Sequence, residues 1–285
     1  MNALDVNNPE TTEECPWALR ELPAFPSVAT KLLQLLSRPD AEVRRLIELL
    51  RSDAAFSAEI LRRSNSALYG LSAQVSSLQH ALVLLGFDQV RALAMSVSMG
   101  SYLRPALRIA TLRQCWRHSL ACALVSEELA RASYFEEDRA YTAGLLHDIG
   151  LLGLMVNYPD EYSNLILVSQ EHGFDLRDTE RELFEVDHCA AGAWLARRWK
   201  FPEEIAEVAG CHHDPPAPGE LRLTSLVHWG CLLTSSLGFA VIPGQAYGDS
   251  FADIRARLPH ILQGRFEGDG EALRDRVARK VNSLE

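Results

Sequence analysis

An all-α fold is predicted by three observations. Apolar residues recur at offsets of three, four and seven, no stretch sustains a period-two alternation, and no Asn-Gly hairpin signal occurs. The expected architecture is an N-terminal five-helix unit packed on a second helical bundle. With 285 residues and 47% hydrophobic content, the chain can fill a proper core. The expected divisions are a flexible tail over 1–18, an N-terminal helical subdomain over 19–104, a bundle over 105–240, and a C-terminal loop and helix over 241–285.

Periodicity begins after "LPAFP". Ser27 can cap a helix carrying Val28, Leu32, Leu35 and Leu36, which stops near Arg38-Pro39 because the proline ring disfavours helical geometry before it. Asp40 then caps a helix with Val43, Leu46, Ile47 and Leu50. Asp53 caps a third with Phe56, Ile60 and Leu61, which runs into "RRSNSALYG" and ends by Gly70. Asn65, Ser66 and Tyr69 there suit a hydrogen-bond network at a helix end more than a recognition surface. Ser76 or Ser77 opens a fourth helix, stopped by Gly86, and Asp88 starts a fifth that ends near Met99.

The second half continues in helices. "TLRQCWRHSLACALVSEELARAS" sets Leu112, Trp116, Leu120, Ala123 and Leu124 on one face, and "AGLLHDIGLLGLMV" over 143–156 reads as the next helix. "EYSNLILVSQEHG" ends at Gly173, with His172 in a last turn that favours a cation. "VDHCAAGAWLARRW" follows; Phe201-Pro202 breaks it and starts "PEEIAEVAGCHH". "LRLTSLVHWGCLLTSSLG" and a charged amphipathic "EALRDRVARKVNSLE" complete the chain, and "HDPPAPGE" and "GFAVIPGQAYGDS" are loops.

Composition narrows the function. A formal net charge of −10 repels polyanions over long range, so nucleic acid is not an expected partner. The apolar stretches are interrupted before the roughly 20 residues of a membrane span, and the acidic N-terminus is unlike an export signal. Six cysteines form no CxxC pair, and free thiols in apolar helices fit a reducing cytoplasm. The arginine pairs Arg44-Arg45, Arg62-Arg63 and Arg197-Arg198 read as solvated helix faces. Trp116, Trp194 and Trp199 read as core or core edge.

The pair His147-Asp148 stands among Ala, Gly, Leu, Ile, Met and Val, where an imidazole and a carboxylate need a hydrogen bond, a charge or a metal. Six of nine histidines, His118, His147, His188, His212, His213 and His228, fall in or at the ends of the apolar helices of this half. Imidazole nitrogen with carboxylate oxygen suits a divalent ion such as Zn, Mn or Fe. Neighbours on a helix are turned about 100° apart, so His147 and Asp148 reach one ion only in a crevice between helices. Taken singly, each other histidine is ordinarily a hydrogen-bonded core residue. His228 and Cys231 share a helix face and could offer a soft pair, but ordinary core packing is the better account of them.

"HDIG" at 147–150, with His118 before it and His188 and His212-His213 after it, resembles the HD superfamily of metal-dependent phosphohydrolases. "LPAFPSVATKLLQLLSRPD" and "LLRSDAAFSAEILRRSNSALYGLSAQVSSLQHALVLLGFDQVRALAMS" resemble the HDOD family, over roughly residues 19 to 240. The resemblance implies a bacterial regulatory protein with an HD-like helical bundle, of a family often connected to two-component or cyclic-di-GMP signalling and without demonstrated catalysis. It places His118, His147 and Asp148 at the first three ligand positions, and His188, His212 and His213, more loosely, where a cyclic-di-GMP phosphodiesterase branch has further histidines.

Departures from the enzymes are specific. Cys231 in "LVHWGC" stands where they have a late aspartate, Leu151 where that branch has lysine, and Gln114 where it has glutamate; its "GYP" is replaced by "HDPPAPGE". A binuclear phosphodiesterase site is therefore expected to be dismantled. A mononuclear site remains open, with Cys231 available as a thiolate. The expected function is a non-catalytic signalling module with a protein partner, requiring no cofactor and open to a divalent ion. The alternatives are a phosphohydrolase with an altered ligand set, or a sensor that binds a phosphate-bearing metabolite near the His-Asp pair.

Overall fold

The computed structural model describes residues 15–36, 43–52, 54–65, 74–217, 219–242, 249–264 and 270–284. Pro39, Asp40, Asp53, Ser66, Tyr69 and Gly70, which carried cap and turn expectations, lie outside them. All regular elements among the described residues are helical. After a short 3-10 turn over Trp17–Leu19, the first five α-helices are α1 (Ser27–Leu36), α2 (Val43–Arg51), α3 (Ala54–Ser64), α4 (Leu78–Leu85) and α5 (Phe87–Leu103).

Local chemistry sets several ends. The Ser77 side chain accepts from the His80 amide at 3.0 Å and caps α4, and Gly86 ends it at φ +86°, a conformation open to glycine. Asn65 both donates to the Val75 carbonyl (2.9 Å) and accepts from its amide (2.7 Å), so it works as a splice between α3 and the segment before α4. The fifth helix extends past Met99 to Leu103, because its apolar stripe continues into buried core.

The second half contains α6 (Ala110–Ser133), α7 (Glu137–Leu146), α8 (Ile149–Asn157), α9 (Pro159–His172), α10 (Leu176–Phe184), α11 (His188–Arg198), α12 (Glu203–Cys211) and α13 (Leu223–Thr234). Beyond a π-turn over Ser235–Phe239 lie α14 (Phe251–Arg257), α15 (His260–Gln263) and α16 (Glu271–Leu284). Three of these, α10, α14 and α15, were not expected from the sequence. The long α6 is the axis of the bundle, flanked by α7, α13 and α16. On α16, Leu273, Val277, Val281 and Leu284 form the buried stripe.

The two halves meet through α5. Its Ser96 hydroxyl is 2.8 Å from the Tyr141 hydroxyl of α7, and Gln89 donates to Glu127 of α6 at 3.0 Å. Phe25 stacks on Trp199 at 4.4 Å between centroids, with Tyr102 and Phe201 set edge-on. Such aromatic contacts add specific geometry to apolar burial. Trp116 and Trp229 are buried, and all six cysteines are free thiols.

Candidate metal centre

The segment expected to be one helix over 143–156 is broken at its polar pair. Helix α7 stops at Leu146 and α8 begins at Ile149. Asp148 lies between them at φ −95° and ψ 26°, in the sparsely populated bridge region. The break turns the carboxylate toward its neighbour, so His147 Nε2 lies 3.3 Å from Asp148 Oδ2. The angular obstacle of a continuous helix is thereby removed.

Gly150 brings the next donor. A Cβ there would fall 2.0 Å from the His188 carbonyl oxygen and 2.4 Å from the Gly192 amide nitrogen, so the backbones of α8 and α11 touch only because it is glycine. His188 opens α11, with Asp187 accepting from the Ala190 amide as its cap, and its Nε2 lies 3.8 Å from Asp148 Oδ1. His212 follows the last residue of α12 and sets Nε2 3.2 Å from the same oxygen. His213 Nε2 is 3.0 Å from His188 Nε2.

From α6, His118 Nε2 stands 3.3 Å from His147 Nε2 and 3.7 Å from Asp148 Oδ2. All six expected residues therefore converge. Asp148 faces His118 and His147 with Oδ2, and His188 and His212 with Oδ1. Cys231 of α13 places Sγ 3.6 Å from His118 Nε2. His228 does not join; its Nδ1 donates to the His212 carbonyl at 2.9 Å.

Hydrogen bonds fix which nitrogen carries the proton. His118, His147 and His212 each direct Nδ1 at a backbone carbonyl: Phe239 at 2.9 Å, Gly144 at 2.7 Å and Ala209 at 3.1 Å. A carbonyl only accepts, so Nδ1 donates and, in the neutral ring, Nε2 is a bare lone pair. His188 Nδ1 lies 2.7 Å from a Glu180 carboxylate oxygen, which also accepts from the His188 amide at 2.8 Å. The other Glu180 oxygen accepts from the Tyr162 hydroxyl.

Electrostatics agree with that assignment. Burial pushes the His147 imidazole down to about 3, and it lowers His118 as well. Burial alone would raise Asp148, and its carboxyl is held well below the usual carboxylate range only when positive charge stands at His147 and His212, charge that these rings lack when neutral. Burial opposes charge on His188 too, yet the Glu180 carboxylate outweighs it and holds that imidazole well above its ordinary value.

Several contacts then join acceptor to acceptor. Neutral His118 and His147 point lone pairs at each other, and buried His212 Nε2 faces an Asp148 oxygen without completing a hydrogen bond among the described residues. A cation shared by His147, Asp148 and His212, or by His118, His147 and Cys231, whose ligand atoms lie within 4.8 Å of one another in each group, would satisfy these lone pairs. Tetrahedral ligands about 2.0–2.3 Å from an ion stand roughly 3.3 to 3.8 Å apart; the three separations of 3.3, 3.3 and 3.7 Å among His118 Nε2, His147 Nε2 and Asp148 Oδ2 lie near those values, and Cys231 Sγ stands 3.6 Å from His118 Nε2. The rings are already oriented through their outer nitrogens, as metal-binding histidines are. The donor set fits a borderline divalent ion.

Sequence reasoning missed two contributors. Glu180 was hidden in an unrecognised helix. Cys189 groups with His188, His212 and His213; its adjacency to His188 was the available signal.

Comparison with known proteins gives one family and several similar folds. The HDOD domain profile matches residues 22–215. An uncharacterised protein of Treponema pallidum (strain Nichols) is 25% identical over 205 residues, 71% of this chain and 40% of that protein. The chain thus spans less than half of that relative's length. A crystal structure of an HDOD domain protein of unknown function from Geobacter sulfurreducens is 21% identical, with a TM-score of 0.77 over 93% of both chains. One from Shewanella amazonensis, provisionally named a phosphohydrolase, is 25% identical, with a TM-score of 0.66 over 95% of this chain and 99% of that one.

Proposed function

The chain belongs to the HDOD domain family, and from that premise we propose that it is a signalling module whose His/Asp centre holds a divalent transition metal ion without hydrolysing a substrate. His118, His147, Asp148, His188, His212 and His213 would hold the ion, with Cys231, whose thiol burial pushes well above its ordinary value, beside His118. A bound ion supplies Lewis acidity, and in a closed donor set it also cross-links α6, the α7–α8 junction, α11 and α12.

Burial carries this reading. His118, His147, Asp148, His188 and His212 are each no more than 3% exposed. A hydrolytic centre needs an open ligand position that substrate and water can reach, whereas these donors face one another. Nearby residues support the same view. Leu151 is part of the apolar core, and Gln114 donates its amide to the Ala240 carbonyl at 3.0 Å as a structural tie.

The module acts through a protein partner, in the cytoplasm and in a two-component or cyclic-di-GMP pathway; membership of the HDOD domain family supports this, and the net charge of −10 disfavours nucleic acid as the partner. Among the described residues no helix is long and apolar enough to cross a membrane. The test is elemental analysis of chelator-free protein followed by assays with bis(p-nitrophenyl) phosphate and cyclic dinucleotides. The expected result is retained metal and no turnover. Turnover abolished by His147→Ala and Asp148→Ala would overturn it.

A second reading, a phosphohydrolase with an altered ligand set, is favoured by Asp148, which offers one oxygen to each of two donor groups. The name given to the Shewanella amazonensis protein points the same way. The same assays separate the two.

A further inference from the structure

Between Asp88 and Glu127 the chain contains five arginines and no aspartate or glutamate, although its net charge is −10. The fold gathers four of them, Arg104, Arg108, Arg113 and Arg117, around one cleft of about 700 Å³ and adds Arg63 from α3. Among the described residues the lining contains a single carboxylate, Glu59, which is already bound by Arg63 at 2.7 Å and by Arg62 at 2.6 Å. Among the described residues no carboxylate pairs with Arg104, Arg108 or Arg113. Arg113 instead donates to the carbonyls of Leu107 and Arg108, at 3.0 and 3.3 Å.

Like charges crowded in one concavity repel unless something neutralises them. A cleft lined by one sign of charge concentrates the opposite ion, even on a molecule of opposite overall charge. Guanidinium groups are matched to phosphate by their paired donors. The volume lies within the range of small-molecule sites, roughly 300–1,000 Å³. The remaining lining supplies an apolar wall of Val97, Leu107, Trp116 and Leu284, with Ser101 and Gln114 as polar points.

We propose that this cleft binds a nucleotide, with its di- or triphosphate held by Arg104, Arg108 and Arg113 and its base against the apolar wall. The site is distinct from the His/Asp centre yet adjoins it on α6. Arg117 lines the cleft and its neighbour His118 belongs to the centre. Gln114, also in the lining, holds the carbonyl next to the one that orients His118.

The test is isothermal titration calorimetry of the full chain, freed of metal on a chelating resin, with ATP, GTP and inorganic tripolyphosphate as probes. Nucleotide affinity should be micromolar at 50 mM salt and fall at least tenfold at 300 mM, as expected for exposed charges under screening. It should also fall at least tenfold in Arg104→Glu/Arg108→Glu, whose melting temperature stays unchanged because both side chains are exposed. Tripolyphosphate should compete, but more weakly than ATP. No binding of any probe at 1 mM, or undiminished binding by the double variant, would overturn the proposal. So would binding of a polyglutamate peptide but of no phosphate compound, which would assign the cleft to an acidic peptide, or equal affinity for ATP and tripolyphosphate, which would remove the base from it.

Discussion

His118 Nε2 and His147 Nε2 lie 3.3 Å apart, and the hydrogen bonds to the Phe239 and Gly144 carbonyls leave neither neutral ring a proton to place between them. Metal removal should therefore destabilise the fold. With free ion at a thousand times its dissociation constant, the bound ion contributes about 4 kcal/mol, or roughly 10 °C in melting temperature. Differential scanning fluorimetry of chelated and zinc-reloaded protein measures this. Identical melting curves would count against an ion at this centre.

Glu180 is fully buried and holds the His188 ring, the His188 amide and the Tyr162 hydroxyl. Glu180→Gln keeps the shape but replaces a charge-assisted acceptor with a neutral amide. The expected loss is about 2–4 kcal/mol in urea unfolding, with a 10- to 100-fold weakening of metal affinity. Wild-type metal affinity in the folded variant would detach Glu180 from the centre.

Gly150→Ala drives a methyl group into two backbone atoms of α11. The overlap belongs to the exceptional class of substitutions that cost about 4 kcal/mol or more, and little folded protein is expected. Gly264→Ala, where an added Cβ meets nothing within 4 Å, is the control and should be close to neutral. Circular dichroism melts compare the two, and a well-folded Gly150→Ala protein would contradict the α8–α11 contact.

Much of the fold was legible because its local signals are strong. Ser77, Gly86 and Gly173 mark their helix ends by cap chemistry that needs no tertiary context. Helix α10 was not legible for a physical reason. Its inward face runs Leu176, Glu180, Phe184, so the residue that serves His188 interrupts the apolar period. The break at His147-Asp148 was hidden as well, since the apolar run continues through Leu145, Leu146, Ile149 and Leu151 on both sides of it and the contact at Gly150 is tertiary. The histidines could be named from the sequence, but their tautomers depend on carbonyls such as Phe239, 121 positions from His118.

Acid should weaken one link of the N-terminal unit in a defined window. Hydrogen bonding to Arg62, joined by Arg63, lowers the Glu59 carboxyl from about 4.5 to about 2. The unfolded chain takes up this proton near pH 4.5 and the folded chain only near pH 2, so the increment is present above pH 4.5 and lost on acidification toward 2. Allowing for solvent at the partly exposed pair, it is on the order of 1 kcal/mol. Urea unfolding of wild type and Glu59→Gln at pH 6 and pH 3 should show the gap between them narrowing by roughly half of that amount or a little more, the rest being lost below pH 3; an unchanged gap would rule the link out.

The donors around Asp148 also impose an order on events. His118 and Cys231 are 113 positions apart, and closing so long a loop must precede any reward from the contact. An emerging chain cannot present the thiol to the imidazole until α13 has left the ribosome and packed on α6. Capture of an ion that Cys231 helps to hold would thus be a late step in maturation, whereas a fragment that ends before α13 would keep His118, His147, Asp148, His188, His212 and His213 and lack only the thiol.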